Sequence, residues 1–288
     1  DLIDARIAER GDAANSGYDG FCRDRDVAAG EGVVVRFRTP DEGVTGWDDV
    51  VRGRVEFDNA VLEDFIIVRS NGTPMFHVAN AFDDADMGIT HVVRGEDLVN
   101  TTPRVLLLRQ ALGHSEPPVY AHLPLIVNEK RQKLSKRRDD VSVGDYRAKG
   151  YLPEAMRNYL ITLGWGPRDG EEIASIDSFI AQFELADINN SPAFFDVKKL
   201  QHFNGEYIRA LPIDRFIELT SELVPESVSE QLYERMAPFV QARLVLLSGE
   251  EIDQLLGWVV GPPAVPTEKD WKKVMGKAGV ADVLRLVA

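Results

Sequence analysis

Lys133, Ser135 and Lys136, set in Lys-Leu-Ser-Lys-Arg over 133–137, are the residues of this chain best suited to chemistry. They lie within 127–138, where six Lys/Arg stand against one Glu, in a protein whose formal net charge is -14. A basic island in an acidic chain attracts an anion. Lysine acts on phosphate as a point charge on a flexible stem, and a serine hydroxyl adds a donor, so the spacing suits a loop that grips a polyphosphate. Taken alone, so short a motif is more often a solvated charged loop.

Arg94 is the second candidate. It follows the apolar run Thr90–Val93, which reads as a short buried strand, and a guanidinium there can clamp a carboxylate bidentately. The plainer alternative is a structural ion pair with Glu96 or Asp97. His77, His91, His114, His122 and His202 form no metal-ligand spacing. Asp83/Asp84 and Asp139/Asp140 read as solvated turns or caps rather than acid/base dyads. No Ser-His-Asp arrangement or phosphate-cradling glycine loop stands out.

The elements that must carry these residues follow from periodicity and punctuation. Residues 1–16 read as the end of a helix and 17–20 as a turn. Short β-branched runs at 33–38, 49–55 and 61–69, the last closed by Asn71-Gly72, describe a small, mainly β unit. From Met75 the pattern becomes α/β. Met75–Ala81 is helix-entering, and Thr101/Thr102-Pro103 caps a helix over 104–112 that stops at Gly113. Val119–Val127 is a strand that delivers the basic loop. In open α/β sheets ligands sit beyond the carboxyl ends of strands, where both Arg94 and Lys133 fall. After Asp140 the chain reads helical over 143–149, 153–162, 175–182, 195–210, 212–223, 227–239 and 250–259, then breaks at Gly261-Pro-Pro and resumes over 271–275 and 280–287.

The 288 residues fit two or three compact units, and 44% hydrophobic with 28% charged content is ordinary for a globular protein. No stretch approaches the roughly twenty apolar residues of a membrane span, and the charged amphipathic start carries no signal peptide. A single cysteine, Cys22, excludes an internal disulfide framework and fits a reducing, cytoplasmic setting. The negative balance argues mildly against nucleic acid, because phosphate-backbone affinity comes from Lys and Arg.

Motif order shifts the balance. His122-Leu-Pro-Leu-Ile followed by Lys133-Leu-Ser-Lys-Arg resembles the second signature loop of class I aminoacyl-tRNA synthetases, in the form used by the glutamyl and glutaminyl enzymes. Upstream, Phe76-His-Val-Ala-Asn80, Asp83-Asp84, Met87–Leu98 and Thr102-Pro103 are similar to the amino-acid pocket of the bacterial glutamyl enzymes. Downstream, Gly150–Ala155, Asn158–Leu160, Leu163-Gly-Trp165 and Phe195-Asp196 through Leu200 resemble the same family in the same order. The likeness is strong over about 17–210 and weaker beyond.

That resemblance implies an α/β fold: the second half of a class I synthetase Rossmann-type domain, with a small α+β insertion and a C-terminal all-α helical domain. Residues 1–72 would be the acceptor-arm-binding insertion, 73–140 the second half of the nucleotide-binding catalytic domain, 141–205 a stem-contact region and 206–288 a helical anticodon-binding region. It implies a glutamate–tRNA ligase that uses L-glutamate, ATP with Mg2+ and tRNA(Glu), and is a monomer. Lys133, Ser135 and Lys136 would stabilise charge on the ATP phosphates. Arg94 would bind the glutamate side-chain carboxylate, with Asn80 and Glu96 in the same pocket. His122 would lie near the nucleotide, or else be a packed histidine. Phe76 departs from the tyrosine of many relatives and is expected to pack in the core. Cys22 has Asp24 where some relatives place a zinc-binding histidine, so zinc is not expected and a buried thiol is. The first signature, His-x-Gly-x, is missing, so the chain is expected to be an internal piece that is inactive alone. A glutaminyl enzyme would carry a β-barrel after residue 206, where this chain reads helical. A non-catalytic tRNA-binding module and an unrelated nucleotide-binding α/β protein are the other readings.

Overall fold

The computed structural model describes residues 18, 20–28, 30–134, 142–260, 267–269 and 273. The described residues of 1–133 and 161–195 form one compact unit, and those of 134–160 and 196–288 the other. Residues 141–205, expected as one region, are therefore shared between the two. The expected helices at 1–16, 271–275 and 280–287, and the break at 261–263, lie outside the described residues.

The first unit is built on a four-stranded mixed sheet in the order β3-β2-β6-β5: β2 is Val44–Asp49, β3 Gly53–Asp58, β5 His91–Gly95 and β6 Val119–Leu123. β2 and β3 form an antiparallel hairpin, while β6 runs parallel to both β2 and β5. The hairpin turns at 50–52 because Gly53 adopts φ 73 and the Asp49 carboxylate accepts the Val51 and Arg52 N–H groups, each at 3.1 Å. Two short pairs flank this sheet: β1 (Val35–Arg36) with β4 (Ile66–Val68), antiparallel, and β7 (Ile126–Val127) with β8 (Ala193–Phe194), parallel.

Helices α1 (Phe76–Asp86) and α2 (Thr102–Ala111) pack together. Ala81 of α1 and Val105 and Leu108 of α2 close a core with Phe65, joined by the partly buried Phe37, Ile67 and Val78. Burying each larger side chain there stabilises the unit by about 1.5–3 kcal/mol. Gly88 at φ 65 and Gly113 at φ 88 lie just beyond the ends of α1 and α2. Thr101 is the cap residue of α2, yet its hydroxyl turns back to the Leu98 carbonyl at 2.8 Å.

Three expectations change. The run 49–55 is not a strand but the hairpin turn with the ends of β2 and β3. Val119–Val127 is two strands in different sheets, divided at Leu123, after which Pro124 supplies no backbone donor. The Thr90–Val93 strand is not buried: β5 is the sheet's edge, Val93 is 47% exposed, and Arg94 belongs to the strand itself.

The second unit is helical among its described residues: α3 (Val143–Ala148), α4 (Pro153–Ile161, its last residue lying in the first unit), α6 (Val197–Ala210), α7 (Ile213–Thr220), α8 (Glu230–Gln241) and α9 (Gly249–Val260). α5 (Ile176–Gln182) belongs to the first unit. Leu152, Ala155, Ile208, Phe216, Tyr233, Val240 and Leu244 bury a common core with Ile252 and Leu256. Helix starts follow the sequence: Asp196 caps α6 and Ser229 caps α8 with side-chain oxygens.

Candidate active site

The carboxyl ends of β2, β5 and β6 bring Asp49, Arg94 and His122 together. Parallel pairing places Arg94 opposite His122. The Asp49 carboxylate accepts His122 Nδ1 at 2.5 Å and the His122 backbone N–H at 3.1 Å. Trp47 Nε1 donates to the same carboxylate at 3.2 Å. On the other side of the ring, Arg94 Nε donates to His122 Nε2 at 3.1 Å, and Arg94 Nη2 donates to Thr102 Oγ1 at 2.7 Å. The Arg94 guanidinium also lies 5.5 Å from the centroid of the Tyr120 ring, which stacks with His122.

The electrostatics agree with this geometry. Burial lowers His122 below the usual histidine range, outweighing the Asp49 hydrogen bond that raises it, so the ring is neutral. Burial pulls Asp49 upward, but the bonds from His122, Trp47 and the turn amides overcome it and leave the carboxyl below its ordinary value. Burial lowers Arg94, with Tyr120, Asp84 and Asp49 opposing.

A second set of polar groups comes from α1 and from Tyr120 of β6. Asn80 Oδ1, Asp84 Oδ2, His77 Nδ1 and Tyr120 OH are buried atoms without a hydrogen-bond partner among the described residues. Buried polar atoms usually find partners, and His77, Asp84 and Tyr120 all feel the Arg94 charge, which fits a place that a polar ligand or water completes. Burial raises Asp84, lowers His77 and raises Tyr120. Asp84 is thus not a solvated turn residue, as the sequence suggested; Asp139 and Asp140 lie outside the described residues.

Glu96 and Asp97 follow Arg94 and Gly95 on a two-turn 3-10 helix, Glu96–Thr101. Neither pairs with Arg94. Glu96 forms a close ion pair with Arg52 of the hairpin turn and accepts the Leu125 N–H at 3.0 Å. Asp97 pairs with Lys133 Nζ at 2.8 Å. Lys133 is set by a tight turn after β7: Asn128 Oδ1 accepts the N–H groups of Lys130 and Gln132, Arg131 takes φ 56, and Lys133 bridges back to Val127. Ser135 and Lys136 lie outside the described residues.

The structure therefore unites Arg94 and His122, sets Asn80 on α1 with its Oδ1 buried, and pairs Lys133 with Asp97 of the 3-10 helix that follows β5. His122 is fully buried with both ring nitrogens engaged. Phe76 is 54% exposed rather than packed in the core, and Cys22 is exposed rather than buried. Asp49 was missed as a site residue, read only as the start of a β-branched run. Thr102 was named as a helix cap and within the block resembling the amino-acid pocket, but not singled out as a site residue.

The family described as "tRNA synthetases class I (E and Q), catalytic domain" matches residues 18–202, and the chain belongs to it. Among curated relatives, the glutamate–tRNA ligase of Thermobifida fusca is 50% identical over 100% of this chain and 61% of its own length. That of Frankia casuarinae is 48% identical over 96% of this chain and 60% of its own. A solved glutamate tRNA ligase from Elizabethkingia meningosepticum, in complex with its amino acid, superposes with a TM-score of 0.81 at 28% identity, covering 99% of this chain and 62% of that one. The chain thus spans about three fifths of the length of the relatives it matches. Among the described residues no helix is long and apolar enough to cross a membrane.

Proposed function

We propose that this chain supplies the glutamate pocket and part of the ATP site of a glutamate–tRNA ligase. The observation that carries the reading is Arg94: a half-buried guanidinium fixed by His122 and Thr102 at the carboxyl end of a parallel strand pair. A charged, pre-oriented fork suits the side-chain carboxylate of glutamate. Asn80 hydrogen-bonds the same substrate, and Glu96 shapes the pocket through Arg52. Identity of 50% and 48% to the Thermobifida and Frankia ligases, over 100% and 96% of this chain, supports the assignment.

In the first step the glutamate α-carboxylate attacks the α-phosphate of ATP, giving glutamyl-adenylate and pyrophosphate. In the second the terminal adenosine of tRNA(Glu) takes the acyl group and AMP leaves. ATP enters as its magnesium complex, which neutralises phosphate charge. Lys133, with Ser135 and Lys136, holds the phosphates as charge moves onto pyrophosphate; positioning and electrostatics are sufficient for such a step. His122 serves the glutamate side of the site rather than the nucleotide, because its ring is buried and both nitrogens are used. Residues 1–72 hold the acceptor arm, 73–140 carry the catalytic half-domain, 141–205 touch the stem, and the all-α segment from 206 approaches the anticodon arm. The setting is the cytoplasm and the protein a monomer.

The test is glutamate-dependent ATP–pyrophosphate exchange and tRNA charging by the full-length protein carrying this chain, assayed with tRNA(Glu) present. Both activities are expected, and Arg94→Ala should raise the glutamate KM by at least about 100-fold, the loss of a bidentate charged pair. tRNA binding with no exchange would instead make the protein a non-catalytic tRNA-binding module.

A further inference from the structure

Asp49 lies on the β2–β3 hairpin, 73 residues from His122, and is 3% exposed. Five donors converge on its carboxylate. The N–H groups of Val51, Arg52 and His122 reach Oδ1, and Trp47 Nε1 and the His122 ring reach Oδ2. Backbone and indole N–H groups can only donate. Both oxygens must therefore accept, and the proton between Asp49 and His122 belongs to the ring nitrogen Nδ1.

That assignment fixes the opposite nitrogen. Nε2 of the neutral ring carries a lone pair, and it faces Arg94 Nε, which can only donate. In the other tautomer, or in the imidazolium, two N–H groups would confront each other. Thr102 Oγ1, 3.2 Å from the same Nε2, accepts from the neighbouring Arg94 Nη2 and donates its own proton to the Leu98 carbonyl at 3.1 Å. The side-on edge of the guanidinium, Nε with Nη2, is thus bound by the protein. The end-on edge, Nη1 with the second Nη2 proton, is left to meet a carboxylate with two parallel bonds.

We propose that Asp49 is a positioning residue for Arg94: it holds His122 in the Nδ1–H tautomer, so that the ring accepts from Arg94 Nε and turns the end-on edge of the guanidinium toward the substrate carboxylate. The proposal rests on the glutamate pocket argued above. It makes the hairpin of the first unit part of amino-acid recognition. Arg52, on the same turn, reinforces this by holding Glu96, the second residue after Arg94.

Asp49→Asn is the decisive variant. The three backbone donors keep the amide oxygen at Oδ1, so the amide NH2 takes the place of Oδ2 and donates to Nδ1. The His122 proton then moves to Nε2, against Arg94. In exchange assays on the full-length protein, the glutamate KM should rise about 10- to 100-fold, the range for one hydrogen bond to a charged group, with the ATP KM within about twofold. His122→Asn keeps the bond to Asp49 but offers Arg94 no acceptor, and should behave alike. His122→Gln places an amide oxygen near the Nε2 position and should recover most of the glutamate affinity. Nitrogen-15 NMR of histidine-labelled protein should place the His122 proton on Nδ1 in the parent and on Nε2 in Asp49→Asn. Variants with unchanged glutamate KM, equal rises in glutamate and ATP KM, or an Nε2–H ring in the parent would each overturn the inference. A parent lacking glutamate-dependent exchange would overturn the function itself and the substrate half of the inference, leaving the tautomer result to decide the Asp49–His122–Arg94 link.

Discussion

Lys133 Nζ stands 2.8 Å from the Asp97 carboxylate, so the first lysine of the basic loop is tethered to the turn that follows Arg94. The Lys133 hydrogen bond holds the Asp97 carboxyl below the ordinary carboxylate value. Both side chains are more than half exposed, and an ion pair in that setting contributes at most about 1 kcal/mol. The tether is therefore weak enough for a polyphosphate to displace it. Asp97→Asn should change the ATP KM by less than about fivefold, the rate equivalent of that energy. Lys133→Ala should lower the exchange kcat by about 100-fold, as expected for a preorganised charge on a developing anion. Steady-state exchange kinetics on the two variants separate tether from catalyst.

Burial of His122 has a consequence for stability. Its native pKa is depressed below the ordinary histidine value, as is that of His77. Well above pH 6.5 both rings are neutral in the folded and unfolded states and cost nothing. As pH falls through 6.5 the unfolded chain takes up protons that the native state refuses, so stability declines. Asp49 acts in the same direction at lower pH, where an unfolded carboxylate protonates before the native one. The thermal midpoint should be flat from about pH 7 upward and fall below 6.5, with a shallower fall in His122→Gln.

Lys133 and Arg94 stood out in the sequence because charge, motif order and strand ends all pointed to them, and the structure sets Arg94 on β5 and Lys133 in the turn after β7. The helices from 143 to 259 were legible because capping residues and apolar spacing repeat along them. The hairpin was not, because Asp49–Val55 is β-rich in composition while its register turns on one positive-φ glycine and one carboxylate accepting turn amides. Asp49 itself reads as a surface acid in Asp48-Asp49. Only the parallel pairing of β2 with β6 brings it beneath His122, and no local pattern encodes a contact between residues so far apart in the chain. The alternative pairs, Arg94 with Glu96 or Asp97, failed for the same reason: each acid had a partner from a distant turn.

In the second unit, Asn204 of α6 ties three segments together. Its Oδ1 accepts the Leu152 N–H at 2.8 Å, and its Nδ2 donates to the Val245 carbonyl at 2.5 Å, with the Gly150 carbonyl at 3.4 Å. The side chain is wholly buried. Asn204→Leu has similar volume but strands a buried N–H and a buried carbonyl, each costing about 1–3 kcal/mol. A loss of about 2–5 kcal/mol in denaturant unfolding is expected, larger than for most surface changes. A loss below 1 kcal/mol would mean water replaces the amide.

Gly150 closes the same junction from the backbone side. It sits at φ 89, and its carbonyl accepts the Leu247 N–H at 2.9 Å. A Cβ added there would lie 2.4 Å from the Leu247 carbonyl oxygen and 2.7 Å from the Leu247 nitrogen. Two costs then add. A left-handed non-glycine residue costs about 1–2 kcal/mol, and forcing backbone apart in a packed region adds about 1–3 kcal/mol. Neither is relieved by a side-chain rotation, because the obstructing atoms are main chain. Gly150→Ala should therefore destabilise the protein by about 2–5 kcal/mol, comparable to a large-to-small change in the core. Gly53, also at positive φ but with open space around it, is the internal comparison: Gly53→Ala should cost only the conformational part, about 1–2 kcal/mol. Chemical denaturation of the two variants side by side separates steric from torsional cost, and equal losses would contradict the close approach of Leu247 to Gly150.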